Sequence, residues 1–159
     1  MDRQDVAAAF RSFREQLIAT LEGIERELGS DACFERKAWE RPGGGGGEMG
    51  LLHGQVFEKA GVNYSLVEGE FSPEFAKTIP GTEADRRFWA SGVSVVIHPA
   101  NPHVPAAHMN IRHLVTAKRW FGGGADLTPV YPDDFETSKF HDAFRVACDA
   151  VDLEYYPKF

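Results

Sequence analysis

The arrangement of strand-like and helix-like segments constrains this fold more than any other feature of the sequence. Between residues 54 and 131, segments rich in β-branched and aromatic residues follow one another, and no long segment of helical periodicity separates them. Helical periodicity occurs near the two ends, over residues 4–28 and 133–151. Consecutive strands without crossover helices indicate an antiparallel sheet. We therefore expect an α+β fold, a large antiparallel β-sheet flanked by helices, in a single domain over residues 1–159.

Composition and charge narrow the class of protein. Hydrophobic residues make up 43% of the 159 residues and charged residues 26%, which predicts a packed core. The net charge of −7 argues against non-specific binding to nucleic acid or to an anionic membrane surface. No run of residues has the length of a transmembrane helix or the pattern of a signal peptide, and Cys33 and Cys148 lack the spacing of a metal motif. We therefore expect a cytoplasmic protein with no nucleic-acid partner and no membrane insertion.

Two of the predicted strands, "GVSVVIHP" and "HMNIRHLV", each carry polar residues on one face. Because side chains alternate across a strand, Ser94 and His98 share one face of the first strand. By the same alternation His108, Asn110 and Arg112 share one face of the second. If the two strands pair, these groups gather on one surface that offers donors, acceptors and a cation to a carboxylate-bearing ligand. The alternative interpretation is an ordinary solvated sheet face.

The connector "PANPHVPAA" joins these strands, and histidine recurs around it at every fifth position. Its proline spacing favours a polyproline II path that holds the strands in fixed relation. Strand parity places His98 and His108 on the polar surface and His113 on the apolar face, while His103 lies within the connector. With His141 of the last helix, His98 and His108 are candidate metal ligands, because imidazole suits zinc, iron or copper. The spacing matches no zinc motif, and an unrelated metal-dependent enzyme built on these histidines is a further alternative.

Two runs of glycine each allow two interpretations. The five glycines of "RPGGGGGEMG" favour a flexible linker by composition, and the alternative is a backbone that passes close to a ligand or turns sharply. The glycines of "WFGGGADLTP" predict a strand that enters a glycine turn, against which a flat ligand can lie. Asp126 follows that turn either as a turn-capping residue or as a carboxylate that acts as a base or pairs with an N–H group.

Five segments together resemble the oxygen-dependent coproporphyrinogen III oxidases of haem biosynthesis. They follow the family's order from residue 33 to the C-terminus, and they read "RPGGGGGEMG", "GQVFEKAGVNYS", "GVSVVIHPANPHVPAAHMNIR", "WFGGGADLTP" and "FHDAFRVACD". The sequence departs from the family at "HLVTAKR", which is shorter than usual, and at Arg119, which precedes Trp120 where the family has a second tryptophan. The resemblance implies a homodimer of subunits with a large antiparallel sheet flanked by helices.

The resemblance also implies an activity. An oxidoreductase of porphyrin biosynthesis would convert two propionates of coproporphyrinogen III to vinyl groups with O₂ and release protoporphyrinogen IX, CO₂ and H₂O₂. It would use no organic cofactor, with O₂ as co-substrate and a divalent metal as a candidate requirement. The family's sequences continue for about as long again, so the chain is expected to be a truncated N-terminal portion. The alternative is a non-catalytic truncated relative that binds a tetrapyrrole.

The roles of individual residues follow from the same resemblance. His108 matches a proton donor, and Arg112 matches the partner of a propionate. Asp126 matches a carboxylate that engages the pyrrole N–H groups or removes a proton from one. Ser94, Asn110, Ile111 and Arg112 match substrate-binding positions. His98, His108 and His141 match candidate ligands of a divalent metal.

Overall fold

The strands form one antiparallel sheet in which each strand pairs with its neighbours in the chain. A computed structural model describes residues 2–159. The strands are β1 (Glu35–Glu40), β2 (Gly45–Leu52), β3 (Phe57–Glu70), β4 (Arg87–Pro99), β5 (Ala106–Val115) and β6 (Arg119–Thr128). Because the spatial order β1-β2-β3-β4-β5-β6 equals the chain order, no crossover helix is needed. The predicted antiparallel sheet and the α+β class are confirmed.

One long helix covers one face of this sheet. The helices of the described residues are α1 (Arg3–Glu27), α2 (Pro73–Ala76), α3 (Asp134–Asp149) and α4 (Tyr155–Lys158). α1 packs against β3 and β4, whereas α3 buries none of its residues. None of the helices within residues 2–159 has the length and apolarity needed to cross a membrane. We call the side of the sheet that faces away from α1 the open face.

Local signals set both ends of α1. Asp2 caps its first turn in a capping box with Asp5, whose Oδ2 accepts a hydrogen bond from the Asp2 backbone N–H at 3.2 Å. At the other end Gly29 has a φ of 81°, and the N–H groups of Gly29 and Ser30 donate to the carbonyls of Arg26 and Glu25. These two bonds form a Schellman motif, which favours glycine because its φ lies in the left-handed region. The helix therefore ends where its sequence predicts.

The hydrophobic core lies between α1 and the sheet. The buried side chains that the helix contributes are Val6, Phe10, Ile18 and Leu21, and those of the central strands are Ala60, Val62, Tyr64, Val93 and Val95. Full burial of one such large side chain stabilises the fold by about 1.5–3 kcal/mol. Since alternate residues of β3 and β4 enter this core, the residues between them are turned toward the open face.

A buried carboxylate ties α1 to the turn between β2 and β3. Glu25 has no exposed surface, and it accepts hydrogen bonds from the backbone N–H groups of Gln55, Val56 and Phe57 at 2.8–3.0 Å. Burial raises the pKa of Glu25. The hydrogen bonds donated to its carboxylate together lower the pKa by more than burial raises it, so the net pKa lies below the usual value. A Cβ on Gly54 would come within 2.1 Å of Glu25 Oε1, so this turn has room only for glycine.

The interpretation of the first glycine run as a linker is wrong. Gly45, Gly46 and Gly47 belong to β2, which pairs with both β1 and β3. A Cβ on Gly45 would approach Leu66 O to 2.2 Å, and one on Gly47 would approach Tyr64 O to 2.2 Å. Glycine is therefore used here because neighbouring backbone passes too close for a side chain.

Two other local predictions also differ from the structure. The second glycine run continues straight through β6 from Gly122 to Gly124, so no glycine turn interrupts that strand. The connector between β4 and β5 does not follow a polyproline II path. It closes with a turn in which Val104 N–H donates to Asn101 O at 3.0 Å and His103 N–H donates to Asn101 Oδ1 at 3.0 Å. The Asn101 side chain, which accepts from its own turn, thus stabilises a turn in place of an extended polyproline II path.

Candidate active site

The polar residues predicted to gather do so on the open face of β4, β5 and β6. Ser94 lies opposite Asn110 in the register of β4 and β5, and Gly92 lies opposite Arg112. Across β5 and β6, His108 lies opposite Asp126. Directly opposed residues of an antiparallel pair project to the same face, so these groups share one surface. The pairing of the two polar strands is therefore confirmed.

Most of these polar side chains have no partner within the part of the chain that the structure describes. No hydrogen bond or ion pair of residues 2–159 involves the side chain of Ser94, His98, Asn110 or Arg112. By contrast, Arg14, Arg36 and Arg87 each pair with a carboxylate. Ser94, Asn110 and Arg112 are also exposed, so their hydrogen-bonding groups are available to a ligand.

His108 and Asp126 form the one imidazole–carboxylate contact of this surface within residues 2–159. His108 Nδ1 lies 2.8 Å from Asp126 Oδ1, and Thr128 Oγ1 donates to the same carboxylate oxygen at 3.4 Å. The two side chains of the pair are 40% and 59% exposed, so the pair adds at most about 1 kcal/mol to stability. Its chemical effect is to orient the imidazole, because a carboxylate at Nδ1 favours the proton there and leaves Nε2 free to exchange a proton with a ligand.

The three candidate metal ligands do not converge. The rings of His98 and His108 are neighbours, with centroids 6.1 Å apart. His141 lies on α3, where its Nδ1 is 3.2 Å from the Tyr156 hydroxyl oxygen, and it lines a cavity of about 300 Å³ beside β6. Within residues 2–159 no three His, Cys, Asp or Glu side chains lie close enough together to hold a metal ion. The donor set present does not fit a three-ligand site of His98, His108 and His141.

Two residues of β5, Ile111 and His113, lie away from the open face. Ile111, a predicted substrate-binding residue, packs against the core on the α1 side, so only its backbone can contact a ligand on the open face. His113 is 3% exposed and stacks on Phe121 at 4.3 Å. Burial lowers the pKa of His113, and nearby cationic Arg119 lowers it further. His113 thus lies on the core side, as parity predicts. His103 of the connector stacks on Tyr131 at 4.7 Å and lines the cavity that Asp126 and His141 also line.

Sequence reasoning missed Asn63. It lies on β3 directly opposite Ser94 and therefore on the open face. The alternation in "GVNYS", where Val62 and Tyr64 are buried in the core, would have placed it there. The glycines against which a flat ligand was predicted to lie are part of β6, and two of them are on the open face. A Cβ at Gly122 or Gly124 would meet no atom within 4 Å, so the surface is open and low at those points.

These features define an α+β protein whose sheet is covered on one face and presents hydrogen-bonding groups, an imidazole–carboxylate pair and an unpaired cation on the other. The chain belongs to the coproporphyrinogen III oxidase family, whose model matches residues 5–159. The predicted family is thereby confirmed.

Curated relatives agree with this assignment. The oxygen-dependent coproporphyrinogen-III oxidase of Rickettsia akari is 53% identical over 155 residues, which are 94% of this chain and 56% of that protein. The protein of the same name from Rickettsia felis is 53% identical over 154 residues, and that from Rickettsia bellii is 49% identical over 163 residues. The Rickettsia bellii match includes 99% of this chain and 58% of the relative. The chain therefore spans a little over half the length of the curated relatives it matches.

Proposed function

We propose that this chain carries a substrate-binding surface of an oxygen-dependent coproporphyrinogen III oxidase. The reaction converts two propionates of coproporphyrinogen III to vinyl groups and gives protoporphyrinogen IX. For each propionate, CO₂ leaves together with a hydride equivalent from the neighbouring carbon. O₂ takes up the two electrons and the proton of that hydride, and with one further proton it becomes H₂O₂. The observation that carries the proposal is the open face, where unpartnered polar groups of β4 and β5 meet the His108–Asp126 pair in a member of this family.

Arg112 is the proposed propionate partner. Its guanidinium is exposed and makes no ion pair within residues 2–159, although the chain carries an excess of acidic residues. An anionic substrate of an acidic protein needs such a local cation, and the planar guanidinium fork matches a carboxylate in geometry. Lys59, on the same face at the start of β3 and opposite His98, supplies a second cation near the other end of the strands. Two separated cations suit a ligand with several carboxylates.

His108 and Asp126 are the proposed proton-transfer groups. A pyrrole N–H is a weak acid, so its deprotonation requires a base held in a fixed place and shielded from water. The 2.8 Å contact fixes His108 Nδ1 on Asp126 Oδ1 and leaves Asp126 Oδ2 and His108 Nε2 for the substrate. In the proposal Asp126 Oδ2 accepts the proton of a pyrrole N–H. His108 takes up a proton from solvent at Nε2 and delivers it to the substrate, so the proton removed from the ring is replaced. Ser94 and Asn110 orient the ring, and no step is assigned to a metal.

The proposal also covers the location, domain organisation and oligomeric state of the protein. We place the chain in the cytoplasm as a single-domain N-terminal part of the oxidase fold, acting as a homodimer with O₂ as co-substrate and no organic cofactor. The net charge of −7, which disfavours binding to an anionic membrane surface, supports this setting. Size-exclusion chromatography with light scattering checks the dimer, since a monomer at micromolar concentration would contradict it.

Turnover is the direct test. The chain is incubated with coproporphyrinogen III in air and under anaerobic conditions, and the porphyrins are oxidised and separated by chromatography. Protoporphyrin that forms only in air supports the oxidase. Binding without turnover would instead assign the alternative function, a non-catalytic relative that binds a tetrapyrrole. Absence of both binding and turnover would refute the proposal.

Arg112→Ala tests the propionate contact. The loss of a charge-assisted hydrogen bond is expected to weaken coproporphyrin III binding by about ten- to a hundredfold. Arg26→Ala is the matched control, since Arg26 is an exposed arginine on α1, on the covered side of the sheet. Arg112→Lys should recover only part of the affinity, because an ammonium cannot make the bidentate contact. Equal affinity of Arg112→Ala and the wild type would remove this role.

A further inference from the structure

Three neutral polar side chains form a straight row across the centre of the open face. Asn63 on β3 lies opposite Ser94 on β4, which lies opposite Asn110 on β5. Adjacent strands are about 4.8 Å apart, so the row spans about 10 Å. Gly124 on β6 continues the row with no side chain. The row thus offers an amide, a hydroxyl and a second amide at regular spacing beside an open strand.

The amide of Asn63 is free to take part in this row. Its side chain is half-buried and makes no hydrogen bond within the described residues, in contrast to Asn101, whose Oδ1 accepts from a turn N–H. Its Nδ2 lies 3.7 Å from the position that a Cβ on neighbouring Gly61 would take. A half-buried amide without an internal partner would forfeit hydrogen bonds unless water or a ligand supplied them.

Charged groups lie around this neutral row rather than within it. Arg112 is two residues from Asn110 on β5, and Lys59 is four residues from Asn63 in the opposite direction along the sheet. His108 and Asp126 lie beside the row at its β6 end. The surface is therefore neutral at its centre and charged at its margin. A flat ligand with neutral N–H donors at its centre and carboxylates at its rim has the complementary pattern.

We propose that Asn63 is a substrate-positioning residue whose side-chain carbonyl accepts a hydrogen bond from a pyrrole N–H. This inference rests on the proposed function and adds a residue to it. With Ser94 and Asn110, the Asn63 amide sets the ring over the centre of the open face and leaves the propionates to the marginal cations. Because it holds the ring rather than transferring a proton, its loss affects affinity more than the chemical step.

Two ligands that carry the same propionates but differ in their ring N–H groups can distinguish a hydrogen bond to the ring from a contact with the propionates. Free-base coproporphyrin III has ring N–H groups, and nickel(II) coproporphyrin III has none. Both are titrated into the wild-type chain, Asn63→Ala and Asn63→Ser, and binding is followed by the porphyrin absorbance band. Gln16→Ala on α1 is the control, and a thermal melt of each variant confirms that it is folded. Asn63→Ser keeps a smaller acceptor on the same strand face.

The expected result is selective. Asn63→Ala should weaken free-base binding between about two- and tenfold and leave nickel coproporphyrin binding within twofold of the wild type. Asn63→Ser should lie between the two, and Gln16→Ala should match the wild type with both ligands. An equal loss for both ligands, or no loss for either, would overturn the assignment of Asn63 while the proposed function stands. Failure of the wild type to bind either ligand would overturn the proposed function itself.

Discussion

Gly124→Ala separates what glycine does for the fold from what it does for the surface. Gly124 lies in the middle of β6, opposite Asn110, and its φ is not in the left-handed region that favours glycine. A Cβ there would meet no atom within 4 Å. Neither backbone strain nor steric crowding therefore requires glycine at this position. If selection kept glycine here for the ligand, stability and binding must respond to the substitution in opposite directions.

The two magnitudes follow from the local geometry. Glycine within a strand is less stable than alanine by about 0.5–1 kcal/mol, because glycine loses more conformational freedom on folding. Gly124→Ala should therefore raise the free energy of unfolding by up to that amount. The added methyl stands on the surface where the ring would lie, and carbon atoms keep about 3.5–4.0 Å apart. Since displacement of a reactant by about 1 Å can cost about a hundredfold in rate, kcat/KM should fall by about ten- to a hundredfold.

The assay pairs a urea titration with the porphyrin titration and the turnover measurement on the same samples. Gly123→Ala is the matched control, because its Cβ would come within 2.4 Å of Asn110 O on the covered side of the strand. Such a clash forces a backbone shift and should cost about 1–3 kcal/mol of stability. If Gly124→Ala destabilised the fold as much as Gly123→Ala does, the glycine would be structural. If it left porphyrin binding and turnover unchanged, the open face would not be the ligand surface.

Two further predictions concern stability. Glu25→Ala removes the acceptor of three backbone N–H groups and should lower the free energy of unfolding by about 3 kcal/mol or more. Urea titration measures this loss, and Glu27→Ala, at an exposed position of the same helix, is the control. A loss equal to that of the control would contradict the role of Glu25. His113 has a lowered pKa in the folded state, so it stays neutral while the unfolded chain binds a proton below the ordinary value of 6.5. The stability that neutral His113 contributes should therefore be complete above pH 6.5 and should decline as the pH falls toward the lower pKa of the folded state. His113→Phe, which keeps the stack on Phe121, should show a smaller decline in melting temperature, and an identical decline would refute this assignment.

Strand parity made most of the candidate site predictable. The period of two is a local property of the chain, so the alternation of Val93, Ser94 and Val95 already indicates which residue faces away from the core. The same reasoning separated His108 from His113 without any knowledge of the partner strand. Hairpin pairing then followed from the short connection between the two strands. Asn63 could have been found in the same way.

The glycine runs and the connector could not be interpreted from local composition. Gly45 and Gly47 are needed because the carbonyls of Leu66 and Tyr64 pass close by, and this contact joins residues far apart in the chain. A flexible linker and a crowded strand have the same glycine-rich composition, so only the pairing distinguishes them. The connector similarly depends on Asn101, whose side chain accepts from the following turn, and proline spacing does not reveal that bond. Register and close approach are long-range properties, which a local pattern does not contain.

The open face differs from an ordinary solvated sheet face in one respect that the polar residues alone do not show. The solvated face of an antiparallel sheet usually carries polar side chains. An isolated exposed apolar residue on such a face has no special meaning. Here Met49 and Leu51, which are 46% and 37% exposed, lie on the same face as the neutral row, and Leu51 is directly opposite Gly61. Low glycine positions, exposed apolar side chains and unpartnered amides thus adjoin one another. Water can hydrogen-bond to the amides but makes no favourable contact with the apolar side chains. A ring with an apolar body and polar groups can do both.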